Sequence, residues 1–234
     1  FLLAEGTPLP QRFEPGQQAV LEVAFAPESP GPQTGRLVVN GRAFVLTGVA
    51  VAPPLPRPSI VLDPAAAGSG RQVRVRILLA EPARTAGEGE LRLGFEPAAS
   101  GWPDDPAITF LSPAGRVARF SVYSGTSVAS FGGRDEIVMQ TGTTAGRITL
   151  TARLGDHVEQ ATLALAALPV QIDSARLARN ASGLELALAG FDNTRSISRV
   201  VFTFYGADGR VLEPGPIAVD LAAEFRRYFE SSAL

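Results

Sequence analysis

The sequence contains no cysteine. This absence excludes a disulfide framework, an iron–sulfur centre, a thiol nucleophile and the cysteine-based structural zinc sites. A β-sandwich built from this chain must therefore rely on its hydrophobic core, because no cross-link can join its sheets. The absence of cysteine does not reveal the cellular compartment of the protein, because many secreted bacterial modules also lack disulfides.

Lysine is missing as well, so all 21 cationic side chains are arginine, and there is one histidine. The arginines are scattered, and a GC-rich genome explains the preference better than a dedicated anion site. The net charge of −2 gives the chain as a whole no electrostatic basis for binding nucleic acid or an anionic membrane. No apolar run reaches the ~18 residues of a membrane-spanning helix.

Glycine and proline are abundant, at 24 and 19 residues, which is typical of a chain that turns often. The first segment, residues 1–51, alternates apolar and polar residues with the period of two that marks a strand with one buried face. The alternation is clearest at Leu21, Val23 and Phe25. Two further strands are predicted at 35–39 and 43–46, and Asn40-Gly41 between them favours a type I′ hairpin turn.

Residues 52–58 contain four prolines and favour a polyproline II linker, so a domain boundary is predicted there. The second segment, residues 59–168, is predicted to be a β-sandwich. One of its strands places Val73, Val75 and Ile77 on one face and arginines on the other. Strand candidates recur at the rhythm expected of sandwiches, at 60–62, 72–79, 89–95, 116–122, 136–140, 147–154 and 158–165.

A second boundary is predicted at Leu168-Pro169. The third segment, residues 169–234, is β-rich, with strands at 170–177, 184–188 and 200–205, and is interpreted as incomplete. It ends in a short amphipathic helix with its apolar stripe docked on a sheet, carrying Leu221, Phe225 and Tyr228 after the candidate N-cap Asp220. The predicted fold class is all-β, with tandem immunoglobulin-like β-sandwiches and one short helix near the C-terminus.

The first segment resembles the second half of an ASH-type domain, the immunoglobulin-like module also seen in bacterial "choice-of-anchor D" proteins. Residues 12–50 carry the resemblance: a Pro-Gly turn at 15–16, a strand ending in F-x-P at 25–27, a G-x-L strand at 35–37 and a closing strand through Leu46 and Gly48. The domain's opening strands are missing. We therefore interpret the sequence, which starts at Phe1-Leu2-Leu3 as if inside a strand, as a fragment of a longer protein.

The remainder is similar to modules found beside such domains in large predicted surface or secreted proteins of acidobacteria. The stretches that carry this similarity are 104–108, 139–150, 190–204 and 225–232. The resemblance implies an extracytoplasmic location and an adhesive or scaffolding role among neighbouring immunoglobulin-like domains, and it brings no catalytic residues with it.

Several residues are candidates for chemistry, and a structural role is favoured for each. His157 lies in a turn between two predicted strands and is interpreted as a solvated hairpin tip, with no G-x-S-x-G motif to support a triad. The acids Asp104-Asp105 and Asp135-Glu136, and the pair of loops at Asp192-Asn193 and Asp208-Gly209, are calcium candidates. Turn formation is the stronger interpretation, since no D-x-[DN]-x-[DN]-G loop is present.

Two glycine-rich stretches, 68–70 and 132–133, lack the Gly-Lys ending of a phosphate loop and are interpreted as turns. Asn180-Ala181-Ser182 matches the glycosylation pattern, which bacterial chains rarely use. No catalytic, cofactor-binding or metal-binding residue is assigned.

The leading hypothesis is a non-enzymatic structural or adhesive module of a larger secreted or cell-surface bacterial protein, without a cofactor. Its protein or glycan ligand is left open. The first alternative is a carbohydrate-binding or enzyme-accessory module, for which Trp102 and Tyr123 are the candidate sugar platforms. The second is an intracellular scaffold, because ASH-type domains also occur in such proteins.

Overall fold

A computed structural model describes residues 1–3, 14–18, 20–99, 104–181 and 183–231. The chain divides into two compact units, Phe1–Pro54 and Leu55–Leu234. The division falls inside the proline-rich stretch 52–58, and the second boundary near Pro169 stays a prediction. Within the described ranges, no helix has the length and apolar character needed to cross a bilayer.

The first unit consists of two short antiparallel sheets. One pairs β1 (Leu2–Leu3) with β2 (Val23–Ala24), and the other pairs β3 (Gly31–Val39) with β4 (Arg42–Ala50). The turn of the second hairpin is confirmed at Asn40 and Gly41, whose φ angles of 48° and 74° are the positive values that a type I′ turn requires.

The second unit contains the sandwich. Its strands up to residue 165 form a four-stranded sheet in the order β10-β7-β12-β13 and a five-stranded sheet in the order β5-β6-β11-β8-β9. Their bounds are β5 Pro58–Asp63, β6 Gln72–Leu79, β7 Gly87–Pro97, β8 Ile108–Leu111, β9 Ala114–Gly115, β10 Val117–Val122, β11 Ile137–Thr141, β12 Gly146–Leu154 and β13 His157–Leu165.

The core lies between these two sheets. Val73, Val75 and Ile77 of β6 are fully buried while their arginine neighbours are exposed, as the alternation predicts. They pack in one cluster with Phe110 and Phe120. Because every hydrophobic side chain described as buried lies between residues 73 and 165, this sandwich holds the hydrophobic core.

The segment after β13 has two hairpins and the helix. Their bounds are β14 Gln171–Asn180, β15 Gly183–Phe191, β16 Arg199–Phe202, β17 Ile217–Asp220 and α1 Ala222–Ser231. The predicted cap of the helix is confirmed, since Asp220 Oδ1 accepts a hydrogen bond from the Ala222 N–H at 2.9 Å. The strands β1 to β17 and the helix α1 confirm the predicted all-β class with one short C-terminal helix.

The proline-rich stretch is partly docked on the sandwich. Leu55 packs on the core beside Gly87, and Pro56 is buried. The Leu55 carbonyl lies 3.1 Å from His157 Nε2, and Arg57 forms an ion pair of 2.9 Å with Glu159 on the same strand. Residues 55–58, which we call the strap, are therefore part of the second unit.

Candidate functional site

The two most buried carboxylates among the described residues lie in loops beside one cleft. Asp105 precedes β8, and its Oδ2 accepts hydrogen bonds from the backbone N–H groups of Thr143 and Thr144 at 2.8 and 2.9 Å. Its Oδ1 accepts a third from the Ala107 N–H at 3.0 Å. The carboxylate thus joins the loop before β8 to the loop between β11 and β12.

Asp192, which follows β15, organises its own loop in the same way. Oδ1 accepts from the backbone N–H and hydroxyl of Thr194 at 2.8 and 2.6 Å. Oδ2 accepts from the N–H groups of Ser196 and Ile197 at 2.7 and 2.9 Å. Four donors on one carboxylate leave it little capacity to bind a ligand.

The pKa of both carboxyl groups is lowered. Burial by itself raises the pKa, but the hydrogen bonds from Thr143, Thr144 and Ala107 outweigh it at Asp105. At Asp192 burial is likewise outweighed by the bonds from Thr194, Ile197 and Ser196. Both groups are therefore ionised in the folded protein at neutral pH and unsuited to act as general acids there.

A lowered folded-state pKa predicts a loss of stability in acid. The two carboxylates contribute stability that is present above the unfolded pKa of about 3.9 and is lost as the pH falls through the folded pKa. We expect the free energy of unfolding, measured by urea denaturation followed by circular dichroism, to fall below about pH 4. Asp105→Asn and Asp192→Asn should each flatten this fall.

Asp208→Asn is the matched control for this series, because Asp208 is exposed. It should reproduce the wild-type acid profile. If the acid profiles of Asp105→Asn and Asp192→Asn were as steep as that of the wild type, this would contradict the structural role of these carboxylates.

Asn193, next to Asp192, connects three parts of the second unit. Its Oδ1 accepts from the Leu168 N–H at 2.9 Å, and its Nδ2 donates to the Ala166 carbonyl at 2.8 Å and to Ser69 Oγ at 3.2 Å. Its own carbonyl accepts from the Ala145 N–H at 2.7 Å. The side chain is buried, so these bonds fix the position of the loop after β15 on the end of the sandwich.

A cleft of about 380 Å³ lies between the two aspartate loops and α1. Its aromatic wall is on the helix, where the Phe225 and Phe229 ring centroids are 6.3 Å apart and those of Tyr228 and Phe229 are 5.5 Å apart. The Arg195 guanidinium lies 5.9 Å from the centre of the Phe229 ring. Tyr228 is 63% exposed, so the helix displays part of its predicted apolar stripe beside this cleft.

The other acids and the histidine are also engaged in structure. His157 begins β13 directly after the Gly155-Asp156 turn, so its predicted place at the tip of a hairpin is confirmed. Its ring is partly buried and bonds the strap, so the prediction that it is solvated is wrong. Asp104 forms an ion pair of 2.5 Å with Arg116, Glu136 one of 3.4 Å with Arg74, and Asp208 one of 3.6 Å with Arg210. Among the described residues no group of three or more histidine, cysteine or acidic side chains could hold a metal ion.

The remaining candidate residues lie in turns, on the surface or outside the described residues. Ser69 accepts a hydrogen bond from Asn193, and Gly132 and Gly133 have the positive φ angles of a tight turn, 61° and 92°. Tyr123 is 54% exposed. Trp102 and Ser182 lie outside the described residues. The alternative of a carbohydrate-binding module, with Trp102 and Tyr123 as its candidate sugar platforms, therefore stays a hypothesis.

Sequence reasoning identified Asp105 and Asp192 as turn residues but missed that Asp105 joins two loops. Two of the partners of Asp105 are 38 and 39 residues away, and Asn193 reaches 124 residues back to Ser69. No local pattern signals such bonds.

Comparisons with solved structures give distant likenesses, two of which follow. No family model and no curated protein matches the chain. The crystal structure of a glycosyl hydrolase family 2 member from Bacteroides cellulosilyticus DSM 14838 is 17% identical over 61% of this chain, with a TM-score of 0.31. The structure of surface layer protein SbsC, domains 1–6, is 13% identical over 82% of it, with a TM-score of 0.29.

The chain spans 19% of the first of these structures and 25% of the second. At these TM-scores neither likeness bears on the activity of the chain.

Proposed function

We propose that this chain is a non-catalytic structural and adhesive β-sandwich module of a larger secreted or cell-surface bacterial protein. One observation carries the proposal: the carboxylates of Asp105 and Asp192, the most buried among the described residues, each accept hydrogen bonds from three backbone N–H groups that fix the loops around them. A general acid or nucleophile needs a carboxyl group that is free to face a substrate.

The resemblance of residues 12–50 to an ASH-type domain supports the same function. Modules of this kind act as spacers, and their sheet faces and loops provide surfaces for binding. In the second unit the core is confined to the sandwich, which leaves both outer sheet faces as surfaces for contacts.

The experiment combines a binding assay with a turnover assay on the whole chain. We expect labelled protein to bind saturably to cell-envelope preparations of the source bacterium. We also expect it to hydrolyse none of a panel of chromogenic ester, glycoside, phosphate and peptide substrates. Turnover that disappears in Asp105→Asn or Asp192→Asn, but persists in Asp208→Asn, would overturn the non-catalytic function.

The location is tested on the parent protein. Surface biotinylation of intact cells should label it. A parent protein that is labelled only after lysis would overturn the surface location and favour the alternative of an intracellular scaffold.

A further inference from the structure

We propose that the outer face of the four-stranded sheet binds an acidic polysaccharide through its arginines. The proposal rests on the adhesive function proposed above and names the ligand chemistry. We call this surface the arginine face. It is defined by the outward side chains of β10, β7 and β12, namely Arg119, Glu90, Arg92, Thr149, Thr151 and Arg153, together with Arg134 at the edge.

The arginine face contains two shallow depressions. One of about 630 Å³ lies over Gly94 and is lined by Arg92, Arg153 and Gln160, among others. The other, of about 620 Å³, lies at the β10 edge and is lined by Arg119 and Arg134. They adjoin, because Val117 of the second is the cross-strand partner of Arg92 in the first.

Positive charge exceeds negative charge across these depressions. Among the described residues that line them, Glu90 is the one acid, and it is paired with Arg92. Two further arginines are its direct cross-strand partners, Arg119 on β10 and Arg153 on β12. The other acids on this face of β7 are at its ends, and one of them, Glu96, is opposite Arg147.

Three of these arginines have guanidinium groups available to a ligand. Within the described part of the chain, no carboxylate lies within 4.0 Å of the guanidinium nitrogens of Arg119, Arg134 or Arg153, and all three side chains are exposed. Because neighbouring strands lie about 4.8 Å apart, the backbones of Arg119 and Arg153 are separated by about 10 Å across the sheet. Arginines with backbones at this spacing can reach carboxylate or sulfate groups repeated along one polymer.

Arg134 is held at the edge by its own tight turn. The Phe131 N–H donates to the Arg134 carbonyl at 2.7 Å across Gly132-Gly133. Phe131 anchors this turn in the core, where its ring centroid lies 5.6 Å from that of Phe120. The backbone of Arg134 is thus fixed by a hydrogen-bonded turn, so its ordering adds little to the entropy cost of binding.

The neutral groups of the arginine face favour a polysaccharide over a nucleic acid. The hydroxyl groups of Thr149 and Thr151 and the amide of Gln160 are donors and acceptors suited to sugar hydroxyls. Phe131 is the one aromatic residue among the described lining side chains and is buried, so the described part of the two depressions offers no exposed ring on which a base could stack.

The test is affinity electrophoresis of the whole chain in native gels containing polygalacturonate, dextran sulfate or neutral dextran. We expect both acidic polymers to retard the protein, neutral dextran to leave it unretarded, and added salt to reduce the retardation. The double variant Arg119→Gln/Arg153→Gln should raise the dissociation constant by about tenfold or more, because it removes two charge-assisted contacts.

The matched control is Arg76→Gln/Arg84→Gln, which removes the same charge from exposed arginines outside the arginine face. It should bind as the wild type does, and both double variants should keep the wild-type melting temperature because all four side chains are exposed. Retardation by only one acidic polymer supports the proposal and identifies the anionic group.

Three results would overturn the proposal: no retardation by either polyanion, equal weakening in the control pair, or equally tight binding of single-stranded DNA. If the polyanions fail while cell-envelope binding persists, the adhesive function stands and only the ligand assigned here is wrong.

Discussion

Replacing Gly89 with alanine should lower the free energy of unfolding of the second unit by about 3 kcal/mol. A Cβ atom at this position of β7 would lie 2.3 Å from Cζ of Phe120 and 2.6 Å from the Arg153 carbonyl oxygen. Phe120 is buried in the core and the carbonyl belongs to the paired strand β12, so neither can move without disturbing the packing. Calorimetry should show the melting temperature lowered by about 6–12 °C.

Gly94 provides the control in the same strand. A Cβ atom there would meet only the Thr149 carbonyl oxygen, at 3.8 Å, which is ordinary contact. Gly94→Ala should change the unfolding free energy by about 1 kcal/mol or less, and a gain is expected because alanine restricts the unfolded chain. Equal effects of the two substitutions would contradict the close packing of Phe120 on Gly89.

Asn193→Asp should destabilise the second unit by about 2–4 kcal/mol at neutral pH. The substitution keeps the shape of the side chain but replaces the Nδ2 donor, which bonds the Ala166 carbonyl at 2.8 Å, with a carboxylate oxygen. A buried anion would then face a carbonyl, and Ser69 Oγ would lose its donor. Urea denaturation at pH 7 measures the loss.

The pH dependence of this variant distinguishes a lost hydrogen bond from a general disturbance. Protonation of the introduced carboxyl restores a donor and removes the buried charge, so the deficit relative to wild type should shrink on acidification toward pH 4. Asn40→Asp, in an exposed turn, should cost less than about 1 kcal/mol at either pH. A deficit in Asn193→Asp that does not change with pH would argue against the bonds of its side chain as the cause.

The strands of the sandwich were predictable because alternation depends on neighbours in sequence. Val73, Val75 and Ile77 show it fully, since a period of two puts all three on the core face and their arginine neighbours on the other. Asn40-Gly41 is equally local, because two consecutive positive φ angles select a small set of residues. Both features need no knowledge of the rest of the fold.

The docking of the strap and the loop-joining bonds of Asp105 were not predictable, because their partners are distant in the sequence. Four prolines indicate a stiff extended chain, but the surface that receives Leu55 is formed by Gly87 and His157, far along the sequence. Asp105 likewise has the features of a turn residue, and only the fold brings Thr143 and Thr144 to it. The positions of Arg119 and Arg153 directly opposite Glu90 also depend on the strand register, which spacing along the chain does not reveal.

The docked strap has a mechanical consequence. Tension that arrives along the backbone from residue 54 acts first on the bond between His157 and Leu55 and on the ion pair between Arg57 and Glu159. We expect these contacts to break before the hydrogen bonds that hold Arg57 and Pro58 against the end of β6. Their rupture would free residues 55–56, or roughly 7 Å of extended chain. We expect the strap to yield before the sandwich does and its contacts to re-form when the tension is released.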